Sequence, residues 1–142
     1  MNGERRDPAP AELRLASRVW AALAAAYVGL IFFVSSRPYL HAPGPEFDMK
    51  DKLAHGAEYA ILGVLLARLV AGRGLRPLVI ALLLVVAIGA SIAAADEMFQ
   101  GTVPGRQRDP VDWIADVCGL TVGAATMLAL HRRGSRTEGE AA

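Results

Sequence analysis

Four long apolar stretches, separated by shorter polar segments, constrain this sequence more than any other feature. They cover about residues 19–35, 53–70, 77–99 and 110–131. Each is close to the roughly 20 residues that an α-helix needs to cross the hydrocarbon core of a bilayer. Charged residues are crowded between the stretches, whereas a soluble helix carries them along its exposed face. The pattern therefore predicts an all-α fold, a small polytopic membrane bundle of four transmembrane helices.

Composition agrees with that interpretation and argues against several other kinds of site. Of the 142 residues, 54% are hydrophobic and 20% are charged, which is too apolar for an ordinary soluble domain of this length. The net charge is +1, and no basic helix with interleaved aromatic residues indicates nucleic-acid binding. Cys118 is the only cysteine, so the chain can form neither an internal disulfide nor a CxxC redox or metal site.

Acidic residues and prolines predict where three of the helices begin. Asp48, followed by Asp51 three positions later, is typical of an N-cap at the start of the second helix. Pro77 fits the first turn of the third helix. Asp109 followed by Pro110 predicts the start of the fourth, with Asp109 as the cap.

The distribution of arginine and lysine predicts the orientation of the bundle. Ten arginines lie in or beside the N-terminal tail, the second loop and the C-terminal tail: Arg5, Arg6, Arg14, Arg18, Arg68, Arg73, Arg76, Arg132, Arg133 and Arg136. Five basic residues lie in or beside the other two loops: Arg37, Lys50, Lys52, Arg106 and Arg108. The positive-inside rule therefore places both termini in the cytoplasm. We expect residues 1–17 and 132–142 to be disordered cytoplasmic tails that flank a membrane domain of residues 18–131.

Polar residues concentrate on the predicted extracytoplasmic side, at the start of the second helix, the end of the third and the loop into the fourth. Asp51, His55, Glu58 and Tyr59 have the spacing of one helix face. Ionisable groups so close to hydrocarbon are costly unless they are paired or functional. The candidate catalytic residues are His55, Glu58, Asp96 and Glu97. The candidate binding or structural residues are Asp51, Lys52, Tyr59, Gln100, Arg106, Arg108, Asp112 and Asp116.

Two segments carry a resemblance to a known family. DKLAHGAEYAILG and DEMFQGTVPGRQRDPVDWIADVCGLTVG, within residues 51–123, resemble the two motif blocks of the VanZ-like family in their order and spacing. That family is associated with resistance to teicoplanin-type glycopeptides. The resemblance implies a multi-pass protein of the bacterial cytoplasmic membrane. We expect it to act on or shield cell-envelope precursors.

The residues leave several chemistries open. An enzyme could act on a lipid-linked phosphate with His55 or Glu58 as general base and with Arg106 and Arg108 holding the phosphate, although no GxSxG motif is present. A divalent cation is a second possibility, because one histidine among acids suits magnesium, calcium or manganese better than structural zinc. The acids considered as its ligands are Glu58, Asp96, Glu97, Asp112 and Asp116, beside His55.

A third possibility is a non-catalytic network that locks the helices together, with Lys52 and Arg106 as its basic members and Asp51 and Asp112 as its acids. Apolar centres of all four stretches argue against an ion transporter. No cofactor is assigned, membrane lipid is the expected partner, with a lipid-linked cell-wall precursor as a further candidate, and the oligomeric state is left open.

Small residues predict close contact between helices. Gly119 and Gly123 form a GxxxG spacing, and Gly56 and Gly63 are predicted as further close-packing positions. In the third loop, Pro104 and Gly105 predict a turn that presents Arg106 to the polar residues.

Overall fold

The chain folds into four long α-helices. A computed structural model describes residues 10–38, 49–72 and 77–140, with side chains described from 14 to 134. The helices are α1 (Pro10–Ser35), α2 (Lys50–Ala71), α3 (Leu78–Gln100) and α4 (Pro110–Glu140). Each contains a segment that is long and apolar enough to cross a membrane, and the described ranges contain no strand. The predicted all-α membrane bundle of four transmembrane helices is confirmed.

Helix starts follow the local signals in two of the three places. α4 begins at Pro110, and Asp109 Oδ1 accepts a hydrogen bond from the Val111 N–H at 2.8 Å, as a capping residue does. Pro77 lies one residue before α3, at its N-cap position. The predicted cap of α2, Asp48, lies outside the described residues.

The first and last helices, α1 and α4, are longer than the predicted apolar stretches. α1 begins at Pro10 and α4 continues to Glu140, so both helices run beyond the apolar stretches into the polar flanks. Pro10 suits the first helical position, where its missing N–H costs no hydrogen bond. Extending an existing helix by one residue also costs much less than nucleating a new one, so polar flanking residues continue the helices.

α2 and α4 pack backbone against backbone along a seam of small residues. A Cβ added at Gly119 would overlap the Gly56 carbonyl, and one added at Gly123 would overlap the carbonyl of Ala60. A Cβ at Gly63 would overlap the Leu120 carbonyl in the same way. The predicted close packing at these glycines is therefore confirmed, and it fixes which faces of α2 and α4 meet.

The core is small, and the outside of the bundle is apolar. Ile31, Tyr59, Leu62, Val85 and Leu120 are fully buried, each with 0% of its surface exposed. Large apolar side chains cover the outer faces, among them Leu23, Leu30, Val79, Leu83 and Val122. In a membrane protein this inverted pattern is stable, because lipid solvates the outer side chains.

Two ends of the bundle differ in chemistry. At one end the Arg68 guanidinium lies 5.3 Å from the ring centre of Trp20, a pairing suited to the membrane interface. At the other end, the last turns of α1 and α3 meet the first turns of α2 and α4 and the 101–109 loop. We call this second end the polar end, because most of the buried ionisable side chains lie there.

Candidate functional site

Lys52 joins α2 to the start of α4. Its ammonium donates to Asp109 and to Asp112, the latter at 2.5 Å. This contact lowers the pKa of Asp109 below its ordinary value, because the Lys52 ammonium and the Val111 N–H both favour the ionised carboxylate. The Lys52 ammonium is therefore paired with carboxylates of α4 and its cap rather than extended toward lipid headgroups.

His55 lies one turn deeper and faces two carboxylates of α4. Its Nδ1 is 3.0 Å from Asp116 Oδ1, and its Nε2 is 3.9 Å from Asp112 Oδ2. Asp116 is completely buried, and 13% of the His55 side chain is exposed. Because an ionised carboxylate can only accept, Nδ1 carries the proton when Asp116 is charged. The α2–α4 seam brings the two residues together, since Gly56 follows His55, Gly119 lies about one turn from Asp116, and the two glycine backbones are in contact.

Asp96 of α3 accepts hydrogen bonds from a residue of α1 and from a residue of its own helix. Its Oδ2 accepts from Ser35 Oγ at 2.9 Å and from Gln100 Nε2 at 2.8 Å. All three side chains are buried. Ser35 is the last residue of α1, so this contact ties the end of the first helix to the third.

Glu97 connects α3 to the loop that precedes α4. Its Oε2 accepts the Asp109 backbone N–H at 2.9 Å, although the side chain is only 7% exposed. This bond satisfies a backbone donor next to the start of α4 and places the second Glu97 oxygen inside the bundle.

Residues 103–106 form the predicted turn. The Arg106 N–H donates to the Val103 carbonyl at 3.1 Å, and Gly105 has a φ of 80°. Proline followed by a residue with positive φ is the signature of a type II turn. The turn directs Arg106 back to the polar end, where it donates to Gln100 Oε1 and to the Arg37 carbonyl, each at 3.4 Å. Arg108 remains exposed, with its side chain against Gly101.

Four buried atoms at this end lack a hydrogen-bond partner among the described residues: Tyr59 Oη, Asp96 Oδ1, Glu97 Oε1 and Asp116 Oδ2. Buried polar atoms in proteins are nearly always paired, and each exception requires an explanation. Three of the four belong to carboxyl groups, which offer acceptors, and the fourth is the Tyr59 hydroxyl, which can donate or accept. Such a site suits a cation, a proton or the donors of a bound ligand.

The structure brings together most of the residues predicted for the site, but it leaves Arg108 exposed and two further residues on the flank of the site. Asp51 is exposed and Glu58 is half-buried, because each lies one residue, or about 100° of helix rotation, from a residue that faces inward. Lys52 and Tyr59 are those inward residues. Glu58 still interacts electrostatically with His55, and its backbone carbonyl accepts from Tyr27 at 3.1 Å. Asp51 and Glu58 were predicted to share the face of α2 that carries His55 and Tyr59. They lie at the edge of that face.

Sequence reasoning missed Ser35 and Tyr27 and assigned Asp109 only a capping role. Ser35 ends an apolar stretch, and a polar residue at that point was a usable signal. No comparable signal indicated the pairing of Asp109 with Lys52, because 57 residues separate the two.

One group of three residues has the spacing of metal ligands. His55, Glu97 and Asp116 each offer one atom, and these atoms all lie within 4.8 Å of one another. They come from α2, α3 and α4 respectively. Of the acids considered from the sequence, Glu58, Asp96 and Asp112 are outside this group. The same side chains can also move a proton, because His55 contacts a buried carboxylate.

The similarity of this chain to known proteins complements the geometry of the site. Neither the curated proteins nor the solved structures contain a significant match to this chain. A model of the VanZ/LLP1 family matches residues 13–131, which include the four apolar stretches of the sequence and every residue of the polar end described above. Because this match covers well over half of the sequence, the chain belongs to the VanZ/LLP1 family.

Proposed function

We propose that this protein binds the phosphate-bearing headgroup of a lipid-linked cell-envelope precursor at its polar end. By acting on or shielding that precursor, it contributes to glycopeptide resistance of the teicoplanin type or to envelope homeostasis. The polar end faces the extracytoplasmic side of a bacterial cytoplasmic membrane, with both termini in the cytoplasm, as the arginine distribution indicates.

The unpartnered acceptors carry this proposal. A network that only held helices together would pair its buried atoms, because an unpaired one costs about 1–3 kcal/mol. Asp96, Glu97 and Asp116 each keep an oxygen without a partner among the described residues. These acceptors suit the hydrogen-bond donors of a bound headgroup or a cation beside it, and not the phosphate oxygens, which are acceptors themselves.

The position of the site and its arginines indicate the class of ligand. The site lies where α1 to α4 reach the membrane boundary, so a lipid headgroup can approach it from the bilayer. Arg106 is only partly buried and Arg108 is exposed, both in the loop above the acids. Guanidinium groups form forked, charge-assisted hydrogen bonds with phosphate, which makes these two residues the proposed phosphate contacts.

A membrane-embedded hydrolase or transferase on the same lipid-linked phosphate is the alternative. The contact between His55 and the buried Asp116 supports it, because a carboxylate that orients an imidazole is a common arrangement in acid–base catalysis. In that version His55 accepts or supplies the proton, and Arg106 holds the phosphate.

Binding of a polyprenyl phosphate to the purified chain in nanodiscs tests the proposal. We expect Arg106→Ala to weaken binding by about tenfold or more, since a hydrogen bond to a charged group contributes about 1.5–3 kcal/mol. Arg132→Ala, at the opposite end of α4, is the matched control and should bind normally. Equal binding of polyprenyl phosphate and uncharged polyprenol by the unaltered chain would refute phosphate recognition.

Cellular readouts separate a functional site from a packing network. In a teicoplanin-susceptible bacterium that expresses the chain, we expect His55→Ala to lose any gain in resistance while the protein accumulates normally. If the protein disappears from the membrane instead, the cluster mainly serves stability. Turnover of the polyprenyl phosphate substrate by the unaltered chain, and its loss in His55→Ala, would favour the enzyme.

A further inference from the structure

Three transmembrane helices each contribute one ligand-type side chain to a single point at the polar end. The ligand atoms of His55, Glu97 and Asp116 lie within 4.8 Å of one another. Ligands bound to one divalent ion at about 2.0–2.6 Å are separated by similar distances. The three groups can therefore converge on one ion with small side-chain adjustments.

Burial and missing partners distinguish this group from an ordinary acidic cluster. Asp116 is 0% exposed and Glu97 is 7% exposed. Within the described part of the chain, Asp116 Oδ2 and Glu97 Oε1 have no hydrogen-bond partner. A buried carboxylate needs a counter-charge or a donor. Among the described residues, His55 meets Asp116 Oδ1 and the Asp109 N–H meets Glu97 Oε2, which leaves the second oxygen of each carboxyl without a donor.

Within the described residues, neither of two nearby basic side chains donates a hydrogen bond to Glu97 or Asp116. Lys52 binds Asp109 and Asp112, and Arg106 binds Gln100 and a backbone carbonyl. The group of His55, Glu97 and Asp116 is therefore left with a local excess of negative charge when its carboxyls are ionised. Each ring nitrogen of His55 also faces a carboxylate, so whichever nitrogen bound an ion, the other would still face an acceptor.

We propose that His55, Glu97 and Asp116 bind a divalent cation of the magnesium–manganese class. Two carboxylates with one imidazole form a mainly oxygen ligand set, which suits these ions. The ion ties α2, α3 and α4 together at the polar end. This inference deepens the proposed function and rests on it for the ion's purpose, which is to place positive charge beside the phosphate of the bound headgroup.

Titration of the metal alone tests the site without lipid. The full chain is purified in detergent, treated with EDTA, and titrated with MnCl₂ at pH 7 while electron paramagnetic resonance follows free Mn²⁺. We expect one Mn²⁺ to bind per chain and to raise the Tm, because the ion binds only the folded arrangement. A folded chain that leaves all Mn²⁺ free would overturn the proposal.

Variants assign the ligands. We expect His55→Ala, Glu97→Gln and Asp116→Asn each to weaken Mn²⁺ binding by more than about tenfold. Asp51→Asn and His131→Ala are matched controls for charge and for imidazole, and should bind as the unaltered chain does. If Asp116→Asn fails to fold, Glu97→Gln carries the test, since it keeps the size of the side chain. Unchanged binding by folded His55→Ala and Glu97→Gln would refute this ligand set.

Failure of this proposal and failure of the proposed function are distinguishable. Loss of Mn²⁺ binding is measured in the absence of lipid, whereas phosphate recognition is measured with Arg106→Ala and can be repeated in EDTA. Lipid binding that persists without any metal site would refute the cation alone. A metal site in a chain that ignores polyprenyl phosphate would refute the lipid proposal and leave the cation established.

Discussion

Asp109 makes three different contacts at the boundary between the third loop and α4. Its Oδ1 caps the helix at Val111, its Oδ2 accepts from Lys52, and its backbone N–H donates to Glu97 at 2.9 Å. One residue thus connects α2, α3 and α4. Only the first contact is local in sequence, and only that one was predicted.

The charge of Asp109 should make part of the stability depend on pH. Its pKa in the folded chain lies below the ordinary value of 3.8, so its contribution is present above that value and is lost as pH falls through the lowered pKa. Asp109→Asn removes the charge but keeps a good capping residue. We expect the variant to have a lower Tm at pH 7, and the gap from the unaltered chain to narrow toward pH 3.

Thermal unfolding in detergent at several pH values checks this expectation. Asp51→Asn, which removes an exposed carboxylate from the same end of the bundle, is the control and should show a smaller gap at pH 7. A gap for Asp109→Asn that stays constant from pH 7 to pH 3 would contradict the assigned role of the ion pair.

At the scale of elements, the seam between α2 and α4 decides the register of the site. Gly56 and Gly119 bring the two backbones together within about one helical turn of His55 and Asp116. Close approach of this kind is how small residues drive helix association in lipid, where the hydrophobic effect contributes little between helices. The seam therefore positions the ionisable pair as well as the helices.

Gly119→Ala should destabilise the bundle. The added Cβ would meet backbone atoms of Gly56, which cannot rotate away as a side chain can, so the helices must shift. We expect a loss of about 1–3 kcal/mol in the free energy of unfolding, in the range of overpacked cores. Gly29→Ala in α1 is the matched control, because nothing lies within 4 Å of its added Cβ.

Denaturant or thermal unfolding of both variants in the same detergent measures the difference. The control should be neutral or slightly stabilising, since alanine favours a helix more than glycine does. Equal stability of the two alanine variants would show that the seam tolerates separation.

At the scale of the whole molecule, the proposed orientation places the polar end outside the cell. Thr102 is exposed in the loop at that end, and Arg132 is exposed beyond the opposite end of the bundle. In a Cys118→Ala background, we expect a membrane-impermeant maleimide to label Thr102→Cys in intact cells. Arg132→Cys should be labelled only after the membrane is permeabilised. The reverse pattern would invert the topology and place the site in the cytoplasm.

The site was predictable from the sequence in its residue types but not in its pairing. His55, Asp96, Glu97 and Asp116 were recognisable because ionisable residues are rare and costly near hydrocarbon. Helix periodicity alone placed Asp51 with them, although Lys52 is the residue that faces inward. An error of one position along a helix changes the predicted direction of a side chain by about 100°. That is enough to move a residue from the centre of a polar network to its edge.

Local sequence was enough to predict four membrane-spanning helices, the cap and proline that begin α4, and the turn at Gly105. Each depends on hydrophobicity or backbone preference within a few residues. Only the packing of the helices brings Lys52 to Asp109, His55 to Asp116 and Ser35 to Asp96. These partners are 57 to 61 residues apart. Their contact follows from helix rotation and register, which the α2–α4 seam sets through the packing of whole helices and which no local preference encodes.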